Sequence, residues 1–129
     1  MYFKSHSYHW NVEGSDFTQY HAFLSDLYDD LYDAVDPLSE NIRKLGQYSP
    51  HSLKDLLGST TITEDSDKPD TPRAMFTNLL DANQKTIDSL NKVFDLATSN
   101  KKQGIANFVA DRLDIHAKHA WFLKSLLKG

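Results

Sequence analysis

The chain has 129 residues, 40% of them hydrophobic, and a formal net charge of −4, which describes one globular domain and does not advertise nucleic-acid binding. The absence of cysteine excludes disulfides, thiolate metal sites and cysteine nucleophiles, and nothing points to secretion. No apolar run approaches the ~20 residues of a membrane span, and Met1-Tyr2-Phe3-Lys4-Ser5-His6 lacks the basic and apolar regions of a signal peptide, so a cytoplasmic protein with no membrane partner is expected.

Residues 1–11 carry bulky Tyr2, Phe3 and Trp10 with no breaker before Gly14, and read as the end of a helix. Glu13-Gly14-Ser15-Asp16 is a turn, with Asp16 or Ser15 as N-cap for the next helix. That second helix is predicted over residues 17–45. Phe17, Tyr20, Leu24, Leu27, Leu31, Val35, Leu38, Ile42 and Leu45 recur every three or four positions, the seam of an amphipathic bundle helix. Gly46 should end it as a C′ residue. Pro37 interrupts this pattern and predicts a kink.

Residues 47–71 form a long connection, with a short helix expected over 52–57. Thr71-Pro72 marks a third helix, an N-cap followed by proline at the first helical position. Its stripe is Phe76, Leu79, Asn83, Ile87, Leu90, Phe94 and Ala97. Residues 98–103 break the pattern. A fourth helix carries Ile105, Val109, Leu113, His116, Ala120, Leu123 and Leu127. This is an all-α chain: a four-helix bundle with a shortened first helix and a long crossover between the second and third. A single domain over residues 1–129 is expected.

Eight of the 18 acids lie between Glu13 and Glu40, and no Lys or Arg stands between Lys4 and Arg43. Such a segment draws cations. Asp26, Asp29, Asp30 and Asp33 read as a solvated helix face. His9, His21, Asp36 and Glu40, spaced by 12, 15 and 4, are the candidate metal ligands. Mixed imidazole and carboxylate donors suit iron or zinc, whereas calcium takes oxygen alone. Asp36 and Glu40 are one turn apart on one helix and can share an ion. His21 lies about 22 Å from Asp36 along a straight helix axis, whereas ligands sit about 2 Å from a metal. His9 can join His21 across the tight turn. Two solutions remain. The pairs are unrelated, or a second subunit runs antiparallel so that its Asp36 and Glu40 meet the first subunit's His9 and His21, giving two identical sites per dimer.

The run Lys4-Ser5-His6-Ser7-Tyr8-His9-Trp10-Asn11-Val12-Glu13-Gly14, with Phe17, His21, Leu27-Tyr28, Ala34-Val35-Asp36, Glu40 and Arg43, resembles the Dps (DNA protection during starvation) branch of the ferritin-like superfamily. His116-Ala117-Lys118-His119-Ala120-Trp121-Phe122-Leu123 resembles that family's final helix. The resemblance implies a ferroxidase in a hollow shell of twelve subunits, a dodecamer built from site-forming dimers. Iron(II) would bind between twofold-related subunits, be oxidised mainly by hydrogen peroxide and be stored as ferric mineral, with zinc able to occupy the same ligands. His9 and His21 would come from one subunit and Asp36 and Glu40 from its neighbour, with Glu40 bridging two irons. Trp10 would stand beside the site and intercept stray radicals.

The chain departs from that pattern at several positions. Ser25 replaces an acid one turn after His21, which weakens the second iron. Lys102, Asn107 and Asp111 fall where family acids line an entry pore, so only Asp111 keeps its charge. The chain also begins late, and it shows no Lys-rich tail, so DNA binding is not supported. A non-catalytic assembly protein of the same fold is the alternative. His6 is a flanking position rather than a ligand, His116 a hydrogen-bonded core residue, and Tyr28 and Tyr32 packing residues. His119 and His51 carry no signal.

Overall fold

A computed structural model describes all 129 residues. Six helices and no strands make up the chain: α1 (Tyr2–Asn11), α2 (Phe17–Asp33), α3 (Val35–Lys44), α4 (Leu53–Ser59), α5 (Pro72–Ser99) and α6 (Gln103–Leu126). No helix is long and apolar enough to cross a membrane. Residues Tyr2–Glu64 form one compact unit, and Asp65–Gly129 with Met1 form another.

In the first unit, α1 and α2 form an antiparallel hairpin. Gly14 sits at φ 125°, the left-handed region that glycine enters without a Cβ clash, and the Phe17 amide donates to the Gly14 carbonyl at 3.2 Å. Asp16 is the N-cap residue, as expected, but its side chain caps nothing. Its carboxylate instead accepts from the Ser15 and Tyr20 hydroxyls, each at 3.4 Å. Ser5, Tyr8, Val12, Leu24, Leu27, Leu31 and Ala34 are buried.

The single helix expected over residues 17–45 is two helices, and the break falls at Ala34 rather than at Pro37. The reason is local. A proline inside a helix crowds the carbonyl four residues earlier and gives it no donor, so the damage falls on the Asp33 carbonyl. Restarting at Val35 puts Pro37 in the first turn of α3, where an N–H is not needed. The apolar stripe continues through Val35, Leu38 and Leu45, but these stay 43–49% exposed, and α3 buries no residue. Gly46 ends α3 at φ 86°. The Gly46 amide donates to the Arg43 carbonyl at 2.9 Å and the Gln47 amide to the Ile42 carbonyl at 3.3 Å, a Schellman closure. The short helix expected over 52–57 is α4, displaced by a residue or two and capped by Ser52, whose Oγ accepts from the Asp55 amide at 3.1 Å.

In the second unit, α5 and α6 pair antiparallel through a connection of three residues. Thr71 caps α5, its hydroxyl accepting from the Ala74 amide at 3.0 Å with proline following. Met75, Phe76, Leu79, Ala82, Leu90 and Ala97 are buried on α5, and Ala106, Val109 and Leu123 on α6. Among them lies a polar cluster, Asn83, Arg112 and His116, also buried.

Candidate metal centre

His9 stands in the last turn of α1 and His21 in the second turn of α2, so the Gly14 turn brings them together. Their rings stack with centroids 3.6 Å apart at 24°. Each ring is tied to the other's backbone: His9 Nδ1 lies 2.9 Å from the His21 carbonyl, and His21 Nδ1 lies 2.8 Å from the His9 carbonyl. A carbonyl only accepts, so each Nδ1 carries the proton and donates. The His9 carbonyl is free for this because the last carbonyls of a helix lack an intrahelical donor. Neither Nε2 is engaged by the chain. Anchoring through Nδ1 to a backbone carbonyl is the arrangement that metal-ligating histidines use.

Asp36 lies in the first turn of α3 and Glu40 one turn on. Both are exposed, and neither carboxylate has a hydrogen-bond or ion-pair partner in the chain. By helical periodicity they share one side of α3, opposite Leu38, Ile42 and Leu45. The chain brings His9 to His21 and keeps Asp36 beside Glu40, but it does not unite the pairs: no group of three or more His, Asp or Glu side chains is placed to hold a metal.

The flanking histidine is more engaged than its sequence position implies. His6 Nδ1 and the Tyr2 hydroxyl are 2.9 Å apart. The His6 ring lies flat on Tyr28 at 3.8 Å and 11°, with Trp10 at 4.2 Å. The i,i+4 spacing of Tyr2 and His6 was the available signal, since such pairs meet on a helix. Ser25 is half-buried, and Lys102, Asn107 and Asp111 are exposed near the start of α6. His116 is a hydrogen-bonded core residue, as expected. Asn83 Nδ2 donates to its carbonyl at 2.9 Å, and its Nδ1 lies 2.7 Å from Asn83 Oδ1. His119 sits edge-on to His116 at 5.4 Å. His51 pairs with Asp55 at 2.9 Å on the surface.

The fold defines a class, and the comparisons agree with it. The ferritin-like domain matches residues 1–129, and the chain belongs to that family. Its relatives include proteins named Dps. The DNA protection during starvation protein of Helicobacter pylori is 27% identical over 131 residues, covering 98% of this chain and 88% of that protein. A low temperature-induced protein of Nostoc is 28% identical over 127 residues, covering 98% of this chain and 71% of that protein. The crystal structure of the Dps protein from Vibrio cholerae O1, described as a member of a broad superfamily of ferritin-like diiron-carboxylate proteins, matches with a TM-score of 0.93 at 28% identity, covering 98% of this chain and 79% of that one. The fold is therefore ferritin-like and of the Dps kind.

Proposed function

We propose that this protein is an iron-oxidising, iron-storing mini-ferritin whose reaction centre is shared between two copies of the chain. His9 and His21 of one copy would face Asp36 and Glu40 of the other. The observation that carries this reading is the division of donors into two incomplete halves. One half is a pair of imidazoles with both Nδ1 atoms tied to backbone carbonyls and neither Nε2 engaged by the chain. The other is a pair of exposed carboxylates without a partner. A twofold axis across the α2–α3 segment would join each half to its complement and create two identical centres. Both compact units would belong to one domain, since a single family match spans them, and the dimers would build a dodecameric shell.

The residue types suit iron(II) as substrate. Neutral imidazoles hold it without excess charge, and carboxylates favour the iron(III) product. Two iron(II) ions give one electron each to hydrogen peroxide, whose O–O bond breaks to leave two hydroxides, so no hydroxyl radical escapes. Glu40 would bridge the two ions. Ser25, which supplies no charge one turn after His21, and Lys102 near the α6 start are the observations that favour the second reading, a Dps-like assembly protein with a weakened iron site.

Complementation tests the shared centre. His21→Ala and Asp36→Ala should each abolish fast peroxide-driven iron(II) oxidation while leaving the assembly intact. Refolding the two variants together should restore it, because each mixed dimer regains one centre with wild-type imidazoles and wild-type acids. Absence of recovery, with mixed dimers demonstrated, would place both halves elsewhere. Undiminished oxidation in either single variant would remove these residues from the reaction. Anomalous scattering at the iron edge from iron-soaked crystals locates the ions.

A further inference from the structure

The second compact unit holds a group of buried polar side chains that the iron reading does not use: Asn83 on α5, with Arg112 and His116 one turn apart on α6. Their hydrogen bonds admit one protonation state. His116 Nε2 lies 3.0 Å from an Arg112 guanidinium nitrogen. A guanidinium keeps its protons and only donates, so Nε2 accepts and carries no proton. His116 Nδ1 lies 2.7 Å from Asn83 Oδ1, which accepts the ring's single proton. Asn83 cannot turn its amide over without loss, because its Nδ2 donates to the His116 carbonyl at 2.9 Å. The His116 ring is therefore neutral.

A proton added at Nε2 would remove the acceptor that Arg112 uses and set a second buried cation against the guanidinium. Burial and a neighbouring like charge both disfavour a charged imidazole. The surrounding groups of this hairpin supply no buried counter-charge. On α6, His119 stands edge-on to His116 at 5.4 Å and would add positive charge if protonated, while Asp111, Asp114 and Lys118 are exposed. On α5, the helix packed against α6, every buried residue is neutral. The α5 charges closest to Asn83 in sequence are engaged elsewhere: Asp81 pairs with Lys85 at 3.1 Å, and Asp88 accepts from Gln84 at 2.9 Å. Arg112, His116 and His119 make further interactions; Nε2 nonetheless faces a guanidinium.

We propose that Asn83, Arg112 and His116 form an acid-sensitive clasp on the α5–α6 hairpin, closed while His116 is neutral and opened by its protonation. In the unfolded chain an imidazole takes up a proton below about pH 6.5. In the folded hairpin the same ring is held without one. Stability falls with pH wherever the unfolded state binds more protons. The contribution of His116 is thus complete above about pH 6.5 and is lost as the pH falls below it. One such ring lowers the folded-to-unfolded ratio by up to about thirty-fold between pH 7.5 and 5.0. A glutamine there would offer one donor and one acceptor at every pH; the imidazole ties the hairpin to acidity. The clasp is independent of the iron reading.

Urea unfolding of the whole protein at about pH 7.5 and about pH 5.0, at one protein concentration and followed by circular dichroism, compares wild type with His116→Gln. The carboxylates and the other histidines titrate in both, so the difference isolates position 116. On acidification wild type should lose up to about thirty-fold more of its folding equilibrium constant than the variant. An equal loss in the two overturns the proposal. A second measurement needs no variant and decides the matter if His116→Gln does not fold. Protein carrying nitrogen-15 in histidine and arginine is sedimented for solid-state nuclear magnetic resonance. His116 is the ring whose Nε2 correlates with a guanidinium nitrogen. That Nε2 should keep its unprotonated shift at about pH 5.5, where exposed imidazoles are protonated. Protonation of His116 in step with the exposed His51, with the hairpin still folded, overturns the proposal.

Discussion

His116 and the pair His9 and His21 are the same residue type put to opposite uses. Both ring nitrogens of His116 are engaged, Nδ1 with Asn83 Oδ1 at 2.7 Å and Nε2 with an Arg112 guanidinium nitrogen at 3.0 Å. All three residues are at most 6% exposed. His9 and His21 each use Nδ1 to fix the ring and leave Nε2 open. The contrast extends to their surroundings. The α5–α6 hairpin closes its polar groups on one another and buries residues along most of its length. The acid-bearing α3 buries none. One region satisfies its polar groups internally; the other leaves them open. Polar groups left open in a folded chain cost stability unless solvent or a ligand satisfies them, which is why the open groups sit at the surface and the closed ones can be buried.

The sharpest way to break the comparison is to open the closed region. Asn83→Leu removes both partners that Asn83 offers His116, its Nδ2 donor and its Oδ1 acceptor. The His116 Nδ1–H and carbonyl would then be buried without those bonds. Leaving such groups unmade should cost about 3 kcal/mol, read as a lower midpoint in urea unfolding at unchanged slope. Glu40→Gln is the counterpart in the open region. It removes a charge that no group in the chain meets, and should move folding stability by less than about 0.5 kcal/mol while impairing iron binding. Equal destabilisation by the two variants would dissolve the distinction. Thr71→Ala gives an intermediate effect. It deletes the hydroxyl that accepts from the Ala74 amide and should cost about 1 kcal/mol by the same measurement.

Features governed by local chemistry were legible in the sequence. Thr71-Pro72 and Gly46 mark helix ends because capping is a short-range matter, and both act as expected. The ferritin-like fold was readable from long apolar periodicity and from the run around His9-Trp10. Three features were not legible there. The break at Ala34 reflects where a proline does its damage, four residues upstream at Asp33, but the sequence draws the eye to Pro37 itself. Arg112 is buried on α6 although charge argues for exposure, because the His116 acceptor sits one turn away. The reciprocal bonds between His9 and His21 use backbone carbonyls, which every residue has and which no residue pattern distinguishes. Whether Asp36 and Glu40 meet a neighbour's histidines is a property of two chains, and a single chain records it only as donors without partners.

A further modest effect concerns the end of α5, which the break in the pattern over residues 98–103 marks without a glycine. Lys101 holds φ 57°, the left-handed conformation, between α5 and α6. Its amide donates to the Thr98 carbonyl at 3.1 Å, and the Lys102 amide donates to the Ala97 carbonyl at 2.8 Å. These are the two bonds of a Schellman closure, the same pair that Gly46 and Gln47 make after α3. There the left-handed position holds glycine; here it holds a residue whose Cβ crowds its own carbonyl, at a cost of about 1–2 kcal/mol. Lys101→Gly removes that strain, and the larger backbone entropy of glycine in the unfolded chain returns about 0.5–1 kcal/mol of the gain. The net expectation is stabilisation of up to about 1 kcal/mol, seen as a higher urea midpoint. Gly46→Ala runs the exchange in reverse. Nothing lies within 4 Å of the position a Cβ would take there, so any loss of stability in that variant reports backbone strain alone. If Lys101→Gly weakens the protein while Gly46→Ala also weakens it, the two closures are not equivalent. The lysine side chain would then contribute something at the α5–α6 turn beyond its backbone.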